Sequence, residues 1–115
     1  MDAARALADL VEISPQIDAA AVVSGEGELD GSVGVPEAGA DVLGRSVREL
    51  LAGAAAFRGD EGRVTQLHAE LAAGDLFAVT GAGERTIVAV TGGRVSPGLV
   101  FYDLKRCLAA AADET

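Results

Sequence analysis

The 115-residue chain has no tryptophan and only one cysteine, one histidine, one lysine and three prolines. With Cys107 alone, no disulfide forms within the chain, and a zinc site built from several cysteines and histidines is excluded by count. A Cys–His catalytic pair would need His68 and Cys107 to converge, since no other residue of either type exists. The aromatics are Phe57, Phe77, Phe101 and Tyr102, so the core must be built from Leu, Val, Ile and Ala. A chain of this length fits one domain, residues 1–115. It buries roughly two thirds of its unfolded surface, which makes extra burial by self-association attractive.

Positive charge is scarce as well: nine Lys and Arg stand against eighteen Asp and Glu, for a net charge of −9. The densest cationic spot is Lys105-Arg106. Such a surface repels polyanions, which excludes nucleic acid and anionic membrane as partners. No apolar run approaches the ~20 residues a membrane helix needs. The opening Met1-Asp2-Ala3-Ala4-Arg5 starts no signal peptide, so a cytoplasmic location is expected. The excess of arginine over lysine, with abundant Ala and Gly, reads as a GC-rich microbial coding bias.

Hydrophobic periodicity divides the chain into eight elements. Ala3, Leu7, Leu10 and Val11 predict a helix over 2–13, ended by Ser14-Pro15. Ile17–Ser24 reads as a strand with an unbroken apolar centre, as suits a strand covered on both faces. Ser24-Gly25-Glu26-Gly27 turns the chain into a short, polar edge strand, Glu28–Val33. Leu43, Val47, Leu50, Leu51 and Ala54 form the stripe of a second helix over 37–57, with Asp41 and Arg45 one turn apart. Gly39, Gly44 and Gly53 weaken that helix, each by up to ~1 kcal/mol relative to alanine, so packing must hold it. The stripe either covers the helix's own sheet or meets another helix, which its glycines would let approach.

Arg58–Gly62 is expected to turn. Arg63–Leu71 then alternates, with Thr65, Leu67, Ala69 and Leu71 on one face and Val64, Gln66, His68 and Glu70 on the other. Ala73-Gly74 turns into a strand over 75–80, and Gly81-Ala82-Gly83 into another over 85–91. Ser96 and Pro97 start a last helix with the stripe Val100, Leu104, Cys107, Leu108 and Ala111, and Asp113–Thr115 should fray. Short turns favour a five-stranded antiparallel sheet, its last three strands a meander, in an α/β (α+β) sandwich with helices on its faces.

Little in this pattern carries chemistry. Cys107 lies on an apolar stripe, where an inert thiol is the ordinary case. His68 reads as a partly covered or interfacial strand residue. Gly81-Ala82-Gly83 lacks the third glycine of a dinucleotide fingerprint and joins two strands rather than a strand and a helix. Asp18, Glu12, Asp60, Glu61 and Asp75 have no partner that the pattern places in a cleft. Gly92, Gly93, Arg94 and Ser96, ahead of the last helix, are an anion-site candidate through their amides and one cation. A small-ligand or anion sensor is therefore the alternative to an interaction module. No catalytic residue, metal or cofactor is expected.

Several strings in order resemble the roadblock family of dynein-light-chain-like domains, well represented in bacteria and archaea. They are Leu10-Val11-Glu12-Ile13-Ser14-Pro15-Gln16-Ile17 leading into Ala20-Ala21-Val22-Val23-Ser24, the Gly25-Glu26-Gly27 turn, Gly74-Asp75-Leu76-Phe77-Ala78-Val79, Ile87-Val88-Ala89-Val90, and Ser96-Pro97-Gly98-Leu99-Val100-Phe101-Tyr102-Asp103-Leu104. The resemblance spans nearly the whole chain. It implies a profilin-like sandwich with the first and last helices on one face and the second on the other. It also implies a homodimer in which second helices pack together and third strands pair edge to edge, and work as a regulator or scaffold for a small Ras-like GTPase. On this chain the implied seam draws on Leu43, Val47, Leu50, Leu51, Ala54, Val64, Gln66 and His68.

Overall fold

A computed structural model describes residues 2–56 and 64–112. The expected helix end at Phe57, the Arg58–Gly62 turn, the strand start at Arg63 and the fraying of Asp113–Thr115 lie outside the described residues.

The elements follow the predicted order. Helix α1 is Ala3–Ile13, with the Asp2 side chain accepting from the Arg5 amide at 2.8 Å as its N-cap. Strands β1 (Ile17–Val23) and β2 (Leu29–Val33) form a hairpin. Its turn is closed by the Gly27 amide donating to the Ser24 carbonyl at 3.0 Å. Helix α2 is Glu37–Ala56. Strands β3 (Gln66–Leu71), β4 (Gly74–Thr80) and β5 (Thr86–Thr91) form the meander, and helix α3 is Pro97–Ala112.

The five strands lie in the order β2-β1-β5-β4-β3, every neighbour antiparallel. β2 and β3 are thus the two edges. Alternation along the strands feeds two cores. Ala20, Val22, Phe77 and Ile87 join Leu7, Leu10, Val100 and Leu104 under α1 and α3. Ala21, Ala78 and Val88 join Ala40 and Val47 under α2. The fold is the expected sandwich.

β1 ends at Val23, β2 begins at Leu29 and β5 begins at Thr86, each one residue inside the expected bound, and the β3–β4 hairpin shifts more. β3 begins at Gln66, although the Thr65 carbonyl still accepts from the Thr80 amide at 2.9 Å. The β3–β4 turn is Ala72-Ala73, because Gly74 already pairs with Leu71. Gly74 holds φ +150°, and a Cβ there would stand 2.2 Å from the Thr91 carbonyl oxygen. Both the conformation and the contact with rigid backbone demand glycine. Gly74→Ala is expected to cost about 3 kcal/mol, or ~15 °C in melting temperature, in a thermal unfolding scan. A shift within a degree or two would show that the hairpin tolerates a side chain there.

Candidate interaction surface

Helix α2 is fixed to the sheet by small residues and one arginine. A Cβ on Gly44 would meet Val23 Cγ2 at 2.6 Å, so the glycine sets how closely the helix approaches β1. Arg48 donates through Nη1 to the Ser24 carbonyl at 2.8 Å and through Nη2 to the Gly25 carbonyl at 2.9 Å, tying the helix to the β1–β2 turn. On the exposed side Arg45 pairs with Asp41, as their spacing predicts.

This seating splits the predicted stripe. Val47 is 1% exposed and packs in the core beneath its own helix, with Leu43 and Leu51 half-buried beside it. Ala54 is also half-buried. Leu50 is 45% exposed and Val42 58%, so two large apolar side chains of α2 stay open to solvent. The helix packs on β1, β2 and β5. Over the rest of that face Leu67 and Leu76 are only half-buried, and Leu71 at the end of the edge strand is 62% exposed.

The other predicted seam residues do not share one face. Val64 precedes β3 and lines a cleft with Leu51 and Ala55 on the α2 side, which corrects its expected place beside His68. Gln66 is exposed on the edge strand. His68 lies on the opposite face of the sheet. Its ring stacks on Phe77, with centroids 4.2 Å apart and planes 8° apart, and meets Phe101 edge-on at 6.5 Å. His68 Nε2 lies 2.8 Å from Asp75 Oδ2. The register explains the pair: Glu70 opposes Asp75 and His68 opposes Phe77, which leaves Asp75 diagonal to His68. Asp75 therefore has a partner that the sequence pattern did not supply.

The anion-site candidate is not gathered into a site. Gly92, Gly93, Arg94 and Ser96 are all exposed. The Ser96 amide, one of the expected donors, is taken by Gln16 Oε1 at 3.1 Å. Ser96 does stand at the head of α3, its carbonyl accepting from the Val100 amide at 3.0 Å.

Cys107 and His68 have different surroundings: His68 meets Phe77, Phe101 and Asp75, and Cys107 lies between α1 and α3. The cysteine lines a groove of about 170 Å³ between α1 and α3 with Ala6, Leu10, Ile13 and Asp103. Burial, and then the nearby Asp9 charge, push its thiol up to about 11 from 9.0. At pH 8 the thiolate is then about a hundredfold scarcer than in the unfolded chain, and native alkylation by iodoacetamide should slow by at least that factor. A native rate within tenfold of the unfolded rate would show that the thiol is open. Because the folded value is the higher one, the stability it contributes is intact below pH 9 and lost as pH rises through 11.

No family model and no curated protein matches the chain. Solved structures do. A roadblock/LC7 domain from Streptomyces avermitilis is 22% identical, with a TM-score of 0.83 over 97% of this chain and 96% of that one. MglB of Myxococcus xanthus is 18% identical, with a TM-score of 0.76 over 91% and 87%. A chain of the LokiProfilin2–rabbit actin complex is 14% identical, with a TM-score of 0.65 over 96% of both. At these identities the likeness is one of architecture, and the architecture of this chain is the roadblock/LC7 fold.

Proposed function

We propose that the chain is a non-catalytic regulatory module that pairs with a second copy of itself and serves a small Ras-like GTPase in the cytoplasm. The observation that carries the self-pairing is the half-covered sheet face. Val42 and Leu50 on α2, and Leu67, Leu71 and Leu76 on β3 and β4, expose apolar surface beside β3, which has no strand on its outer side among the described residues. A second copy supplies both an apolar helix and a matching edge, and two-fold pairing closes the assembly where open-ended addition would aggregate. One MglB of the same fold is described with a tetrameric arrangement.

The non-catalytic reading rests on the lone histidine and lone cysteine. His68 faces Asp75, while the Cys107 thiol is held protonated in the α1–α3 groove. The GTPase partner rests on the resemblance to the roadblock family alone. No helix among the described residues is long and apolar enough to cross a membrane.

The seam used by a second copy is thus smaller than the sequence stripe. It keeps Leu50 and adds Val42 and Leu71, while Val47 is already spent on its own sheet. Sedimentation at micromolar concentration is expected to show a dimer. Leu50→Asp should weaken it by about thirtyfold or more, as a buried anchor worth 2 kcal/mol does. Because Leu50 is half-exposed in the single chain, the variant should stay folded by circular dichroism. A wild-type monomer, or a variant dimer of unchanged affinity, would overturn the seam. Titration with the Ras-like GTPases encoded in the same genome, loaded with GDP or a GTP analogue, tests the partner. Binding in neither state would count against it.

A further inference from the structure

The β3–β4 hairpin carries three metal-ligating side chains on one face. His68 and Glu70 stand two apart on β3, and Asp75 lies on β4 opposite Glu70. One ligand atom from each lies within 4.8 Å of the others. The geometry points to a divalent transition-metal site of the zinc class, held by His68 Nε2 and one oxygen each from Glu70 and Asp75. It does not rest on the dimer or on the GTPase reading.

Three observations converge on it. First, the imidazole is already oriented: stacking on Phe77 and the edge of Phe101 fix its plane, and Nε2 is aimed at Asp75 at 2.8 Å. Second, Asp75 is 8% exposed, and His68 is its one side-chain hydrogen-bond partner among the described residues. A carboxylate offers about four acceptor positions, so one imidazole leaves Asp75 with lone pairs free to bind a cation. Glu70 adds a second negative charge at the same spot, which a divalent cation offsets. Third, the spacing fits. Zinc bonds of about 2.0–2.2 Å put tetrahedral ligand atoms about 3.4 Å apart. His68 and Asp75 need only open slightly, and Glu70, which is exposed, has room to close in. Water would complete the coordination. One nitrogen among the donors favours zinc and its neighbours over magnesium or calcium.

The plain alternative is a structural His–Asp pair with a solvated glutamate. The two separate on a tag-free, chelator-treated chain titrated with zinc chloride by calorimetry, with nitrogen NMR of the single imidazole. One zinc per chain is expected, with the His68 ring resonances moving at saturation. His68→Phe keeps a ring on Phe77 and removes both nitrogens, so binding should vanish while the fold remains. Glu70→Gln leaves the His–Asp pair intact and should weaken binding by about tenfold or more, since even outer-shell losses cost that much. The site is overturned if wild type shows no saturable zinc binding. It is equally overturned if His68→Phe binds like wild type, if the imidazole signals stay put as zinc binds, or if magnesium binds as tightly as zinc.

Discussion

One helix cannot cover a five-stranded sheet, and most of what this molecule offers to a partner follows from that mismatch. Strands about 4.8 Å apart make a sheet roughly 20–24 Å wide. A helix with its side chains is about 10–12 Å across. On one face α1 and α3 lie side by side and match the width, and the core beneath them is large and sealed. On the other face α2 stands alone over β1, β2 and β5. In the β3–β4 half the described elements leave Leu67 and Leu76 half-buried and Leu71 exposed. The uncovered area and the open edge fall at the same end of the sheet, so one second body can satisfy both.

The helices that pack on the wide core were legible because their stripes consist of large residues at regular spacing. Val100, Leu104, Cys107, Leu108 and Ala111 on α3 are all buried. On α2 the same reading grouped Leu50 with Leu51, although neighbours on a helix point about 100° apart. The residues that decide its orientation are Ala40 and Gly44, buried against the sheet with Val47. A stripe read from large side chains cannot see a contact made by the lack of one. The glycines looked like room for a foreign helix, yet Gly44 is the room taken by Val23. Likewise Arg48 reads as one more surface cation until the β1–β2 turn presents it with two carbonyls.

The His68–Asp75 pair was hidden by a one-residue shift of the turn, which moves the pairing by two. With the turn at Ala73-Gly74, Ala72 would oppose Asp75 and His68 would oppose Val79, well away from the carboxylate. With the turn at Ala72-Ala73, Glu70 opposes Asp75 and His68 opposes Phe77. In a hairpin every pairing downstream depends on which two residues turn. The contact that fixes the true turn is long-range. Gly74 is held at φ +150° because β5 runs against it, with the Thr91 carbonyl filling the space of its missing side chain. Local turn preference favoured placing glycine in the loop, and tertiary packing placed it in the strand.

Aromatic scarcity gives that hairpin a further weight. Phe77 and Phe101 meet edge-to-face at 5.2 Å, and the His68 ring completes the cluster. Aromatic pairs of this kind contribute about 0.5–1.5 kcal/mol each beyond their buried area. Elsewhere among the described core residues the packing is aliphatic and small. β3 is an edge strand, with β4 as its only neighbour in the sheet. The cluster therefore ties the least supported strand, through β4, to α3. The edge best placed to pair with another chain is held in shape from the opposite face by His68, Phe77 and Phe101. Any ligand that engages His68 acts directly on the strand that pairing would use.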